Sequence, residues 1–482
     1  MKIGDIEVEV VHPFKIKIPA TGGMRADGII YTTLDALKQE ESAQCMTQVM
    51  NVAHLYGIVG PSMAMPDIHW GYGFPIGGVA AFDVKEGMIS PGGVGYDINC
   101  GVRLLRSGLS RTDIQGKVEP LIHQLFWDLP CGVGARGRLK LSGPEMKKVL
   151  KNGSRWALDN GYAREEDVAN TEEGGALAGA DPDSVSERAL KRGSNQLGTV
   201  GSGNHFVEIG YVAEVYDEYL ARAMGLHLNQ VTVGIHCGSR GLGHQVCDDF
   251  LHQMARNLPD LPFELPDKQL ACAPFKSHAG QEYFRAMNAA ANFAYCNRQI
   301  LTHWTRQAFE KILQAGPATI ALEVVYDVAH NIAKVETHNL AGQPRQLLVH
   351  RKGVTRAFPP GHPDVPPVYR SVGQPVFIPG DMGRCSYVLV GTEKAMEETF
   401  GTTCHGAGRV LSRHRAKRLA KGRDIAQEMK ERGIFVKAGQ RSALAEEASY
   451  AYKDVSKVVE TVEGAGLSKK VAKLIPMGVI KG

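Results

Sequence analysis

The residues of this 482-residue chain with the clearest chemistry are histidines, an aspartate and a cysteine that lie near glycines. Asp97 and Cys100 share one glycine-rich loop, and His205, His236 and His330 follow at wide intervals. Carboxylate, thiolate and imidazole are groups that hold transition metals. Five such ligands exceed the four of a closed structural zinc site. The surplus predicts two metal ions bridged by the Cys100 sulfur, an arrangement suited to phosphoryl transfer.

A second group of residues predicts a phosphate site. His405 begins the run His-Gly-Ala-Gly-Arg, which we expect at the start of a basic helix. Glycines let a phosphate approach the backbone, the N-terminus of a helix favours an anion, and Arg409 could add a bidentate contact. A neutral His405 imidazole is suited to attack phosphorus.

Glu208 could accept both edge protons of guanine, a donor pair that adenine lacks. The basic stretch 413–418 fits a nucleic-acid backbone.

Each of these features also has an ordinary structural interpretation. A single histidine at a strand end is most often a hydrogen-bonded structural residue, and glycines before a helix usually form a turn. A basic run is as often a solvated helix face, and a glutamate such as Glu208 is more often at the surface. Ligand softness leaves zinc, iron and manganese open. His69 and His244 are further candidates whose roles the sequence leaves open.

The order of apolar and helical patterns predicts which elements position these residues. We expect strands over 63–68, 76–82, 102–105, 199–209, 231–236 and 320–328. We expect helices over 33–49, 248–258 and 281–313, a mainly helical polar segment at about 111–195, an irregular proline-rich segment at 353–379 and a basic helical C-terminal region at about 405–482.

The ligand candidates are more than 200 residues apart, so they can meet only if one fold brings these regions together. We therefore predict an α+β fold: a single intertwined domain, residues 1–482, of mixed β-sheets flanked by helices. The metal and nucleotide site is expected at strand ends.

Composition sets broad limits on the class of protein. Hydrophobic residues make up 43% and charged residues 22%, as in ordinary globular proteins, and a net charge of +4 is weak evidence for a polyanionic partner. The nine cysteines lack the paired spacing of a disulfide framework. The sequence shows neither a signal-peptide pattern nor an apolar run of about 18 residues. We expect a cytoplasmic chain with reduced thiols and no membrane association.

Taken together, the motifs resemble those of the RtcB family of RNA-splicing ligases. The matching segments occur in the family's order from near the N-terminus to the final lysine, and several are long and unusual. They lie at 65–73, 92–101, 197–208, 234–241, 328–331, 378–383 and 404–409. The segment at about 111–195 carries the least specific resemblance.

The resemblance implies an RtcB-like fold and a ligase that depends on GTP and manganese. It would join an RNA 2′,3′-cyclic phosphate or 3′-phosphate to an RNA 5′-hydroxyl, in tRNA splicing and RNA repair, and an archease-type protein would be its activator. By motif, Asp97, Cys100, His205, His236 and His330 would bind two Mn²⁺ ions.

His405 would take GMP from GTP. The guanylate pocket implied by the resemblance comprises His405 with Asn204, His205, Phe206, Val207, Glu208, His330, Asn331, Pro379, Gly380, Asp381, Met382, Ser386, Gly406, Ala407, Gly408, Tyr452 and Lys481.

Two other functions stay open at this point. A dinuclear metal-dependent phosphodiesterase would use the same ligands, with His405 only positioning phosphate, and would neither require GTP nor become guanylylated. The second open function is that of a non-catalytic RNA-binding protein whose metal is structural. The surplus of ligands and the lack of dispersed aromatic residues in the basic region argue against it. The residues alone, without the resemblance, favour the hydrolase.

Overall fold

The fold is α+β, as predicted, in a computed structural model that describes residues 1–258, 261 and 263–482. The strands are β1 Lys2–Ile3, β2 Ile6–Glu7, β3 Glu9–His12, β4 Lys15–Ile18, β5 Gly28–Ile30, β6 Ile58–His69, β7 Ile76–Asp83, β8 Met88–Ile89, β9 Gly101–Ser110, β10 Phe206–Val215, β11 Gln230–Cys237, β12 Ala273–Pro274, β13 Glu323–Ala329, β14 Asn331–Leu340, β15 Gln343–Lys352, β16 Val354–Arg356, β17 Pro375–Ile378, β18 Ser386–Gly391, β19 Thr402–Cys404, β20 Phe435–Ala438 and β21 Ser468–Lys481.

The α-helices are α1 Leu34–Leu37, α2 Glu40–Val52, α3 Val118–Asp128, α4 Gly143–Asn152, α5 Ser154–Asp159, α6 Glu165–Ala169, α7 Glu187–Gly193, α8 Glu218–Ala223, α9 Arg240–Arg256, α10 His278–Leu313, α11 Pro317–Ile320, α12 Glu393–Thr399, α13 Arg413–Leu419, α14 Ile425–Glu431, α15 Arg441–Glu446 and α16 Val455–Gly464. Among the described residues, no helix combines the length and the apolar character needed to cross a membrane.

The larger sheet carries most of the predicted site at one of its ends. Its strand order is β13-β9-β11-β10-β21-β18-β17, with β20 paired in parallel to β21. The antiparallel register places Phe206 opposite both His236 and Lys481. In the same end of the sheet, Gly101 is opposite Cys237 and Ala329. Residues distant in sequence therefore share one edge because strand pairing aligns them.

A second, seven-stranded sheet brings further residues to this place. Its order is β14-β15-β7-β6-β5-β4-β3. Strand β6 ends at His69, β15 ends at Lys352 and β14 begins at Asn331. The short strand β19, which leads into His405, pairs with β16. The chain passes from the first sheet to the second between β13 and β14, and His330 is the residue at that junction.

The helices largely cover the first sheet. Apolar residues of α3, α4, α9 and α10 join those of β9, β10 and β11 in the largest buried cluster. Helix α10 is 36 residues long and is buried over most of its length, as the sequence predicted for 281–313. It also buries polar side chains, including Asn297 and Arg298, which reach the loops of the site.

Several element boundaries differ from the predictions. Thr33 caps a helix as expected, but that helix ends at Leu37 and a second one begins at Glu40. The segment 353–379 is not wholly irregular, since it holds β16 and β17. Residues 199–205 form a loop, and the strand begins only at Phe206, because two glycines of this loop, Gly201 and Gly203, adopt positive φ. The remaining prediction, of a single domain over 1–482, stays a prediction.

Candidate metal and nucleotide site

The predicted metal ligands converge. The Cys100 sulfur lies 3.3 Å from Nε2 of His205 and 3.2 Å from Nε2 of His236. Nε2 of His236 is 3.1 Å from Nε2 of His330, and Nε2 of His205 is 2.8 Å from the Asp97 carboxylate. The ligand atoms form two groups that could each hold an ion, and Cys100 belongs to both. This is the geometry that a bridging thiolate requires.

Local backbone structure aims these side chains. Asn99 adopts a left-handed φ of 50°, which turns the loop before Cys100, and Asn tolerates this conformation better than most residues. The amide of His330 donates to the Cys100 carbonyl at 2.8 Å, and the Asn99 amide donates to the Asn331 carbonyl at 2.7 Å. The Asn331 side chain donates to the Asp97 carbonyl at 3.1 Å. The metal loop is thus tied to the start of β14.

A buried arginine fixes the same loop from the other side. Arg298 of α10 donates to the carbonyls of Asn99 and Cys237 at 2.8 Å each, and these residues adjoin Cys100 and His236. Its guanidinium also pairs with both oxygens of Asp327. Arg298 therefore positions two metal ligands through their neighbours.

The chemistry of the donors fits metal ions. Burial raises the pKa of the Cys100 thiol to about 12, so a thiolate forms there only beside a cation. Burial lowers the pKa of His236 and His330, which keeps both imidazoles neutral and able to ligate. Burial raises the pKa of Asp97, but the charge of His205 outweighs it, and the pKa lies well below the usual range. A charged carboxylate and neutral imidazoles are the forms that metals bind.

His205 and His236 have outward nitrogens that are oriented by the backbone. Nδ1 of His205 is 3.0 Å from the Val200 carbonyl, and Nδ1 of His236 is 3.1 Å from the Asn204 carbonyl. For His236 this contact fixes the tautomer in which Nε2 carries the lone pair. Burial lowers the pKa of His205, but Cys100, Cys237 and Asp97 outweigh burial and raise it well above its usual value, so a metal ion would have to displace the proton on Nε2. The loop that includes Asn204 thus holds a ligand as well as lining the cavity.

His405 is held by an aspartate. Nδ1 of His405 is 2.5 Å from Oδ2 of Asp67, and the same oxygen accepts the amides of His405 at 2.9 Å and Gly406 at 3.2 Å. Nδ1–H is therefore the donor, and Nε2 is left with a free lone pair. The ring centroids of His405 and His330 are 5.1 Å apart, so the histidine lies beside the metal cluster.

The surroundings of His405 differ from the prediction in one respect. The basic helix α13 does not begin at His405: it begins at Arg413 after a Ser412 cap and is only seven residues long. Gly408 has a φ of 71° and passes so close to Asp67 that a Cβ there would lie 2.3 Å from its carbonyl oxygen. This turn, rather than a helix N-terminus, leads the chain past Asp67.

Arg409 has several hydrogen-bond partners within the protein. Its guanidinium donates to Glu447 at 3.1 Å, to the Tyr452 hydroxyl at 3.1 Å and to the Glu446 carbonyl at 2.8 Å. A bidentate contact between phosphate and Arg409, which also lines the cavity, stays a prediction. The basic stretch 413–418 is partly neutralised, since Lys417 pairs with Glu446.

A cavity of about 470 Å³ joins these groups. It is lined by the five metal ligands and His405, and by most of the guanylate residues expected from the sequence, namely Asn204, Phe206, Glu208, Asn331, Pro379, Gly380, Asp381, Met382, Ser386, Gly406, Ala407, Gly408, Tyr452 and Lys481. Val207 is the exception. It points to the other face of β10 and is packed in the hydrophobic core, because neighbouring side chains of a strand alternate between faces.

Glu208 faces the cavity from a largely buried position. Burial raises its pKa to about 8, and Lys481 partly opposes this. Nζ of Lys481 lies over the Phe206 ring, 5.3 Å from its centroid, and 3.7 Å from the Glu447 carboxylate. The end of β21 thus places the Lys481 amine near the carboxyl groups of both Glu447 and Glu208.

Sequence analysis did not assign several residues that the structure brings to the site. Asp67 lies in the segment 65–73, which carried the family resemblance, but nothing in the sequence showed that it meets His405. Lys352 lines the cavity and donates to the carbonyls of Tyr72 at 2.6 Å and Phe74 at 3.0 Å. Burial lowers its pKa to about 7. His69 and His244 both line the cavity.

This geometry is typical of one class of enzyme. Paired metal-ligand groups beside a histidine with a free Nε2, in a cavity large enough for a nucleotide, suit transfer of a phosphoryl or nucleotidyl group. The carboxyl group of Glu208, which lines the same cavity, can accept hydrogen bonds from a nucleobase.

Comparison with known proteins identifies the family. A family model described as tRNA-splicing ligase RtcB matches residues 48–482. A tRNA-splicing ligase RtcB of Archaeoglobus fulgidus is 53% identical over 481 residues, covering 100% of this chain and 98% of the relative. Those of Thermococcus kodakarensis and Methanococcus maripaludis are 52% and 49% identical, each over 95% of both chains. The chain belongs to the RtcB family of tRNA-splicing ligases.

Proposed function

We propose that this chain is an RNA ligase of tRNA splicing and RNA repair. It joins an RNA 2′,3′-cyclic phosphate or 3′-phosphate end to a 5′-hydroxyl end and consumes GTP. The observation that carries the proposal is the Asp67–His405 pair beside the metal-ligand groups, in one cavity with Glu208. A nucleophile, a metal cluster and a base-reading carboxylate together are what nucleotidyl transfer needs.

Two Mn²⁺ ions, shared between Asp97, Cys100, His205, His236 and His330, would bind phosphate oxygens and neutralise the charge that develops on them. The thiolate of Cys100 would bridge the two ions. Manganese is proposed from the family resemblance, because the donor set alone also suits zinc or iron.

The first step of the proposed sequence is hydrolysis of a cyclic phosphate: water adds to phosphorus and the bond to the 2′ oxygen breaks, leaving a 3′-phosphate. Nε2 of His405 then attacks the α-phosphorus of GTP, and pyrophosphate leaves. Asp67 holds Nδ1–H during this step, so the positive charge that grows on the ring meets a buried carboxylate.

In the later steps GMP passes to RNA. An oxygen of the RNA 3′-phosphate displaces His405 from the guanylyl phosphorus and forms a phosphoanhydride. The 5′-hydroxyl oxygen of the second strand then attacks the RNA phosphorus, and GMP leaves. The covalent histidine intermediate divides one difficult displacement into easier ones.

The guanine end of the cavity is proposed at Glu208. The carboxylate would accept the N1–H and N2–H protons of guanine, while Phe206, Tyr452 and Lys481 surround the nucleotide. Asn204, Asn331, Ser386 and the 379–382 turn complete the proposed pocket. Val207 would contribute only through its backbone, since its side chain is in the core.

The decisive experiment is incubation with GTP labelled at the α-phosphate and manganese, followed by denaturing electrophoresis. Wild type should form a protein–GMP adduct, and His405→Ala should abolish it. His414→Ala, at an exposed position nearby, is the matched control and should label normally. An adduct in His405→Ala would remove His405 from the nucleophile role.

The dinuclear phosphodiesterase is not favoured. It explains the metal ligands, but it uses His405 only to position phosphate and has no need for the free Nε2 that results when Asp67 fixes Nδ1. If wild type opens cyclic phosphates without GTP and forms no adduct, the hydrolase is the correct function.

An archease-type activating protein is proposed as a partner from the resemblance alone. An activator should raise the number of ligation turnovers per enzyme without changing the amount of protein–GMP adduct formed in the first turnover. Multiple-turnover ligation with and without such a protein measures this.

A further inference from the structure

One wall of the cavity carries three aromatic rings that the proposed mechanism does not use. They belong to Tyr72, Tyr96 and His244, which we call the aromatic wall. The rings of Tyr96 and His244 are stacked, with centroids 5.7 Å apart and planes 28° apart. Tyr72 meets Tyr96 edge-on at 5.7 Å. Three elements distant in sequence thus build one continuous ring surface.

The aromatic wall is open rather than part of the core. Tyr72 is 36% exposed, and His244 is also exposed. None of the three rings belongs to a buried hydrophobic cluster. Tyr96 is only packed against the edge of one. Exposed aromatic surface inside a functional cavity is typical of a ligand-binding face.

The position of the wall indicates which substrate it meets. Tyr96 directly precedes Asp97, and His244 lies one turn of α9 after Arg240, which also lines the cavity. At the other side, Tyr72 follows His69, whose ring lies 6.4 Å from that of His405. The wall therefore adjoins the Asp97 metal group and lies in the same cavity as His69 and His405. It takes no part in the proposed guanine pocket.

We propose that the aromatic wall stacks against the base of the terminal nucleotide of an RNA end. This rests on the proposed ligase function. Every base has a π face, so stacking on aromatic rings accepts any sequence, as a ligase that joins different RNA ends must. Arg240, which also lines the cavity, supplies positive charge for the adjoining phosphate.

Two RNA ends share this chemistry: the strand that carries the 3′-phosphate and the strand that carries the 5′-hydroxyl. Two partial reactions separate them. Transfer of GMP from guanylylated enzyme to a 3′-phosphate strand alone reports the first end. Sealing of an already activated strand to a 5′-hydroxyl strand reports the second. Each is measured with an intact strand and with one whose terminal residue is abasic.

The variants are Tyr96→Leu, which removes the ring but keeps apolar volume, and Tyr96→Phe, which keeps the ring. For wild type and Tyr96→Phe, loss of the terminal base at the stacked end should lower kcat/KM about tenfold. Tyr96→Leu should lose about tenfold with the intact strand and nothing more with the abasic one. Trp127→Leu, 82% exposed on α3, should behave as wild type.

The proposal is overturned if abasic and intact strands give equal kcat/KM values in both partial reactions. It is also overturned if Tyr96→Leu with the abasic strand shows the product of the two separate losses in kcat/KM, because the ring and the base would then act independently. His244→Leu repeats the test where Tyr96→Leu fails to retain metal or to fold. Failure of the ligase function itself is seen separately, as the absence of a His405 adduct in wild type.

Discussion

The contact between Asp67 and His405 gives the sharpest prediction, because it concerns one step of the proposed reaction. Asp67→Asn keeps the shape of the side chain and an oxygen that can accept hydrogen bonds. It removes the negative charge that faces the ring. Burial raises the pKa of the Asp67 carboxyl, but the electrostatic interaction with the His405 side chain and the hydrogen bonds from its ring and amide outweigh burial and hold the pKa below its usual range. The native carboxylate is therefore charged at neutral pH.

The size of the effect follows from the geometry. A hydrogen bond to a charged group contributes about 1.5–3 kcal/mol. Two unit charges about 4 Å apart interact by about 4 kcal/mol at an effective dielectric constant of 20. The His405 ring gains positive charge only as it attacks phosphorus, so most of this energy is lost in the transition state. We expect Asp67→Asn to slow adduct formation by about 10²- to 10³-fold, at about 1.4 kcal/mol per factor of ten.

The assay is single-turnover labelling with saturating GTP and manganese, with GTP affinity and thermal unfolding measured in parallel. Affinity should change little, because Asp67 touches His405 rather than the nucleotide. Asp159→Asn, at an exposed site on α5, is the control. A rate for Asp67→Asn within threefold of wild type, with GTP and metal bound normally, would refute the argument that the carboxylate stabilises the charged ring.

Three further sites give predictions. Cys100→Ala should remove both ions and ligation, because the sulfur belongs to both ligand groups; elemental analysis showing full metal content would contradict the bridge. Glu208→Ala should lower the preference for GTP over ATP about tenfold or more, and unchanged competition between the two nucleotides would count against a guanine contact. Since burial raises the Glu208 pKa to about 8, GTP affinity in wild type should increase from pH 6 towards pH 8 and should lose this dependence in Glu208→Ala, as titration calorimetry can test. Asp327→Asn should lower the free energy of unfolding by about 3–5 kcal/mol, because it leaves Arg103 and Arg298 buried without a counter-charge; denaturant unfolding within 1 kcal/mol of wild type would contradict this.

Residue type and local pattern were enough to predict the α+β fold and the five side chains that converge around Cys100. Each histidine ligand lies at or next to the end of an apolar strand, so the pattern that predicted strands also located their ends. The alternation of faces along a strand could have corrected one expectation. Phe206 and Glu208 share a face, and Val207 must then point to the core.

The start of the basic helix α13 was harder to predict, because glycines occur both in turns and at helix starts. The run after His405 has the glycines of a helix entry, but Asp67 takes the amides of His405 and Gly406. Free amides occur at any helix start, so these bonds alone do not prevent a helix. Gly408 does, because its φ of 71° turns the chain close past Asp67. The helix begins instead at the next residue with a capping hydroxyl, Ser412.

The contacts that sequence could not reveal are those between sheets. Asp67 lies on β6, and His405 directly follows β19, 338 residues later in the chain. The sequence of neither strand indicates that the two strands pack together. A buried aspartate in isolation costs free energy, so Asp67 is tolerated only because three donors converge on one of its oxygens. The orientation of His405, the proposed nucleophile, is therefore a property of the packing between β6 and β19. Any change that separates these strands should slow adduct formation as Asp67→Asn does, even where every metal ligand is intact.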